Sequence, residues 1–160
     1  MLPPGPKAYL LKAIAGTPDV VESLLRGLDH DSAKWDVRPE PERFTLREII
    51  AHLADWESIW LDRAKRTRDE NTPVLPNKDE VQYAIDNNYA KSDPLANIVR
   101  FRAGRAALCD CLLSLTDSDW QRIAQRELLG PMNLEEQTIL ILAHDGYHTS
   151  QIAQWVKPFK

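Results

Sequence analysis

Two stretches of this chain open in the same way: Thr45 is followed three residues on by Glu48, and Asn133 three residues on by Glu136. A short oxygen-bearing side chain just before a helix accepts from the backbone N–H three positions later, and the glutamate there reaches back to the first N–H. The pair satisfies two of the donors that every helix start leaves free. Behind Thr45 the stripe Ile49, Leu53, Trp56 and Trp60 recurs at helical spacing. Behind Asn133 the seam reads Gln137, Leu140 or Ile141, His144, His148, Gln151 or Ile152, and Trp155, running to about Val156 before Pro158 stops it. Long helices with one apolar face must bury it, and further helices are the partners this chain offers.

Residues 7 to 28 carry Leu10, Leu11, Ile14, Val20, Val21, Leu24, Leu25 and Leu28 at helical spacing. Thr17-Pro18 interrupts them with the signature of a cap followed by proline at the first helical position, so one bent helix or two abutting ones satisfy the pattern. Ser92-Asp93-Pro94 opens another long helix, with a stripe through Leu95, Ile98, Val99, Ala106, Cys109 and Leu113. The remaining segments are connectors. Trp35 to Phe44 is a loop whose two aromatic ends are expected to pin it to the core, and residues 67 to 78 form a long polar, proline-bearing loop. A short helix follows around Glu80 to Tyr89, with a helical turn at Asp117 to Ile123 and a chain reversal at Gly130-Pro131. No alternating strand of comparable strength and no internal repeat is present. The expectation is an all-α, four-helix bundle in a single domain over residues 1–160.

Composition removes several function classes. The 24 acidic and 20 basic residues give a net charge of −4, and no basic block is long enough to grip a phosphate backbone, so nucleic acid is not an expected partner. The N-terminal segment lacks the pattern of a secretory signal and no apolar run reaches membrane-spanning length, which predicts a soluble, cytoplasmic protein with no membrane partner. Cys109 and Cys111 stand two apart on a helix, point in different directions, and are read as buried or idle thiols.

The final helix raises a chemical question, because His144 and His148 lie in the seam that should be buried. Residues four apart on a helix bring their Cβ atoms to about 5–6 Å, so both rings can reach one ion. His52, between Ile49 and Trp56 on the interior edge of the second helix, can face them across the bundle, whereas His30 lies outside this arrangement as a surface residue. Burying three polar rings together is costly unless something common satisfies them, and a metal does so. Gln151, one turn from His148, could orient a ring or the species on the ion, and Asp55, one turn from His52, could accept its free ring N–H. Tyr147 and Arg102 are weaker candidates for touching a substrate. Trp56, Trp60 and Trp155 read as core filling.

The segment from Trp35 to Trp60, "WDVRPEPERFTLREIIAHLADWESIW", followed far downstream by "LAHDGYHTSQIAQW", resembles the DinB family of four-helix bundles, the DinB/YfiT-like metalloenzyme superfamily. The likeness covers nearly the whole chain in element order. It implies a divalent metal held by a histidine of the second helix and by an H-x-x-x-H-x-x-Q-I motif in the last, which here are His52, His144 and His148. Residues 67 to 78 and the short helix after them look peculiar to this chain.

Three neutral imidazoles leave a bound ion its full charge and at least one open position, the layout of a catalytic rather than a closed structural site. Imidazole suits zinc, nickel, iron or copper, of which zinc or nickel is expected first. The resemblance implies metal-dependent chemistry, either transfer of a low-molecular-weight thiol to an electrophile or hydrolysis. Gln151 and Asp55 are the supporting candidates, and the substrate is a small molecule. A non-catalytic metal- or ligand-binding stress-response bundle is the alternative, and a homodimer is the expected assembly.

Overall fold

In the computed structural model, which describes residues 2–38 and 40–157, both capping pairs close. Thr45 N donates to Glu48 Oε2 at 2.7 Å while the Thr45 hydroxyl accepts from Glu48 N, and Asn133 and Glu136 exchange the same two bonds at 2.8 Å each. They start α2 (Leu46–Asp69) and α6 (Leu134–Trp155). The other long helices are α1 (Pro4–Leu24) and α4 (Pro94–Leu113), and the shorter α3 (Glu80–Asp86) and α5 (Asp117–Trp120) lie in the connections. α1 packs on α4 and α6, and α2 packs on the same two, so α1 and α2 take opposite corners of the expected four-helix bundle. Among the described residues no helix is long and apolar enough to cross a membrane. Pro158, the expected stop of α6, lies outside the described residues, as does Pro39 in the loop before α2.

The expected loop anchors are in place. Trp35 is fully buried in a single 3-10 turn (Ala33–Asp36) and donates its indole N–H to the Asp29 carbonyl at 2.7 Å, while Phe44 packs beside it and accepts through its carbonyl from Trp155 at 3.0 Å. Full burial of a large apolar side chain stabilises by roughly 1.5–3 kcal/mol, so such anchors hold a loop without regular structure.

One open reading is settled and two sequence expectations need correction. Of the one bent helix or two abutting ones that Thr17-Pro18 allowed, the chain forms one: α1 runs from Pro4 to Leu24 with Pro18 inside it. Proline cannot donate to the carbonyl four residues back, which is that of Ile14. That carbonyl accepts instead from Arg105 Nη1 at 2.7 Å, and the Thr17 hydroxyl is turned to Asp145 at 2.8 Å. The stripe on α4 is rotated as well. Leu95, Val99 and Leu113 are exposed, and the buried face carries Asn97, Phe101, Arg105, Leu108, Cys111 and Leu112. Finally, the connectors are not free of strands. β1 (Val74–Leu75) lies within the stretch read as a loop, β2 (Ile123–Arg126) begins where a helical turn was expected to end, and β3 (Gly130–Asn133) begins at the Gly130-Pro131 step read as the reversal. β1 pairs parallel with β2, and β2 antiparallel with β3. Gly130, with φ at +78°, opposes Arg126 and closes the hairpin with a conformation that L side chains rarely adopt.

A polar layer divides the core across its middle. One apolar cluster holds Leu10, Ile14, Trp56, Trp60, Leu108 and Ile141, and the other Val21, Trp35, Ile49, Leu53, Phe101 and Ile152. Between them each long helix supplies buried polar groups: Thr17 from α1, His52 and Glu57 from α2, Arg105 from α4, and Asp145 with His148 from α6. Gly104 lets α2 and α4 close at this level, since a Cβ there would stand 2.6 Å from that of Glu57.

Candidate metal centre

His52 on α2 is fully buried and His148 on α6 nearly so, while the His144 side chain keeps 14% of its surface exposed. Their ring nitrogens gather so that one from each lies within 4.8 Å of the others. His52 Nε2 and His144 Nε2 are 2.9 Å apart, and the ring centroids stand 4.5 Å (His144–His148), 4.6 Å (His52–His148) and 5.1 Å (His52–His144) from one another. Trp56 packs against His52 at 4.1 Å and Trp60 presents its ring edge-on to His144 at 5.6 Å, so the expected core tryptophans also wall the cluster.

Two observations fit a metal. Imidazole nitrogens about 2.0–2.1 Å from one ion stand about 3.3 Å apart, a spacing that the cluster brackets. Among the described residues His52 Nε2 and His144 Nε2 have only each other as hydrogen-bond partner, and an ion shared by the three rings would take one nitrogen from each.

Gln151 is placed against the His148 ring. Turned one way its Oε1 accepts from His148 Nδ1 at 2.7 Å, and turned the other its amide N–H donates to that nitrogen while the oxygen accepts from Arg43 at 3.1 Å. Ligation through Nε2 puts the proton on Nδ1 and selects the first. Asp55 is not brought to the His52 ring: its carboxylate is taken by Arg100. The carboxylate beside a ring of the cluster is instead Asp145, with Oδ1 4.0 Å from His144 Nδ1. Arg105 Nη2 at 2.9 Å and the Thr17 hydroxyl fix its position. Burial works to raise the Asp145 carboxyl, but the His144 ring, Arg105 and Thr17 hold it below the usual range. The sequence carried a signal for it, because Asp145 falls on the seam four residues after Ile141.

Of the weaker candidates, Tyr147 stacks edge-on to His148 at 5.1 Å and its hydroxyl accepts from Gln151, whereas Arg102 is exposed and paired with Asp19 and Glu22 away from the cluster. His30 is exposed, as expected, and both cysteines are free.

Burial first, and the neighbouring imidazoles second, bring His52 down to about 2 and His148 to about 3, against the help His148 receives from Gln151. The unfolded rings take up protons near pH 6.5, and the folded ones refuse them until far lower. The contribution is thus fully present above pH 6.5 and lost as the pH falls from there toward 3. Metal-free protein is expected to lose up to about 2.5 kcal/mol of stability per pH unit between pH 6 and 5. Glu57, pushed up by burial, offsets part of this wherever it takes up a proton in the folded state. Denaturant titrations at pH 7, 6 and 5 measure the slope, and a flat profile would contradict buried neutral rings.

A family model described as the DinB superfamily matches residues 13–152. No curated protein matches the sequence. Among solved structures the chain is similar to YfiT from Bacillus subtilis, described as "a probable metal-dependent hydrolase with an unusual four-helix bundle topology". The TM-score is 0.88 at 18% identity, covering 97% of this chain and 88% of that one, a likeness of fold.

Proposed function

We propose that this chain, which belongs to the DinB superfamily, is a metal-dependent enzyme that holds one divalent ion on His52, His144 and His148 for hydrolysis or thiol transfer on a small molecule. The observation that carries the reading is the convergence of three ring nitrogens, one from each histidine, within 4.8 Å. When bound, zinc, nickel or iron on three neutral ligands supplies a Lewis acid that makes water or a thiol nucleophilic near neutral pH. The chain does the rest. Gln151 fixes the His148 ring, Arg105 holds Asp145 beside His144, and Trp56 and Trp60 keep bulk water from the cluster. Hydrolysis draws support from the description of YfiT, and thiol transfer from the family likeness of the sequence.

The test reconstitutes metal-free protein with zinc, nickel or iron(II) in turn. An activated ester reports hydrolysis, and an electrophile with a low-molecular-weight thiol reports transfer. One ion is expected to raise one of these rates by about a hundredfold or more, since a Lewis acid contributes several kcal/mol in the transition state, and His144→Ala should abolish the gain. The same rates with and without ion would favour a non-catalytic ion, a role suited to His52 and His148 being 0% and 4% exposed.

A further inference from the structure

The cavity against which His144 stands, about 160 Å³ in volume, is walled by the cations Arg63, Lys78 and Arg126, with Glu80 as the acidic residue of its lining. Arg126 and Arg63 are only 6% and 5% exposed, yet among the described residues neither has a carboxylate partner. Arg126 Nη1 is buried with no hydrogen bond at all, and Arg63 is held by the Pro76 carbonyl at 3.0 Å and lies over the Trp60 ring at 5.3 Å. A third buried donor without a partner among the described residues, Nε1, belongs to Trp60 of the same wall. Lys78 adds a further positive charge to the wall, against Glu80. Burial, and for Arg63 also its neighbour Arg126, lowers both guanidiniums, Arg63 to about 10.

Buried charges are ordinarily paired, because desolvating an ion costs several kcal/mol that only a counter-charge offsets. This chain nevertheless builds a sheet that turns Arg126 inward. Along β2 the buried positions are Ala124 and Arg126, and β1 and β3 clamp the strand on both edges. The donors present, two planar forks and an indole N–H, match the oxygens of a carboxylate or phosphate. The space equals about five water volumes, enough for such a group on a short stem.

We infer that this cavity is an acid-binding pocket, in which Arg126, Arg63 and the Trp60 indole N–H grip the carboxylate or phosphate of a small anionic substrate whose remaining atoms reach the histidine cluster. The inference rests on the proposed enzyme reading for what happens at the cluster. The grip itself needs no ion, so it is tested without one.

Thermal unfolding of the metal-free protein at low salt, with acetate, inorganic phosphate and neutral acetamide titrated separately, reads it out. Acetate or phosphate should raise the Tm by about 5 °C at twenty times its Kd, and acetamide should not. The stronger anion tells a carboxylate pocket from a phosphate one. Arg126→Gln should weaken anion binding about tenfold or more while raising the Tm of the anion-free protein, because it removes an unpaired buried charge; a purely structural arginine would lower it. Arg126→Lys, which keeps the charge without the fork, should retain part of the affinity and serves if the glutamine variant does not fold. Arg102→Gln, on the surface, should bind as the parent does. No response to either anion, an equal response in Arg126→Gln, or acetamide acting as well as acetate overturns the pocket. Metal content is measured on the same samples. An anion response without metal uptake contradicts the enzyme reading alone, and metal uptake without an anion response contradicts the pocket alone.

Discussion

Arg105→Met is expected to destabilise the protein by about 3–5 kcal/mol, the cost typical of removing one partner from a buried ion pair. Arg105 is 2% exposed and donates to Glu57 at 2.9 and 2.6 Å, to Asp145 at 2.9 Å and to the Ile14 carbonyl that Pro18 leaves free. Methionine fills similar volume but strands two carboxylates in the middle of the bundle, with Thr17 as the remaining donor. The pH response should also flatten. Burial already pushes Glu57 up, so the variant regains stability as its carboxylates take up protons, over the range in which buried His52 and His148 cost the parent stability. Neutralising the layer with Glu57→Gln and Asp145→Asn in the same variant should recover most of the loss. Denaturant midpoints at pH 7 and 5 measure all three effects. A loss below about 1 kcal/mol at pH 7 would show that the layer is not coupled as the hydrogen bonds indicate.

The second large effect is that of the ion. His52 is far in sequence from His144 and His148, so the unfolded chain does not assemble the site, and whatever binds the folded state alone stabilises it by mass action. Saturation at a thousand times Kd should add about 4 kcal/mol, or roughly 8–16 °C in Tm. Gln151→Ala should lower metal affinity about 10–100-fold, as loss of a partner that orients a ligand ring usually does. A Tm that does not move with added zinc, nickel or iron would argue against a site of this affinity.

Local rules explain what the sequence disclosed. The capping pairs at Thr45 and Asn133, the seam of α6 and the register of His144 with His148 each depend on residues within one or two turns, and each is found where the spacing places it. The face of α4 was misread because Asn97 and Arg105 lie in the core. A search for apolar periodicity assigns such residues to solvent, and only their partners on α1, α2 and α6 justify burying them. Pro18 left one helix or two equally open for the same reason, since the donor that satisfies Ile14 comes from another helix. The strands, of two and four residues, are too short for alternation to register, and the pairing of β1 with β2 joins segments some fifty residues apart. Arg63 and Arg126 gave no sequence signal, because their meaning lies in the missing counter-charge.

Elemental mass spectrometry on protein purified without added metal or a histidine tag, alongside His148→Ala, tests the central claim most directly. Close to one zinc, nickel or iron per chain in the parent, absent from the variant, is the result that the three-histidine centre predicts. A parent and variant that are both metal-free, and that take up no ion when it is supplied, would contradict it.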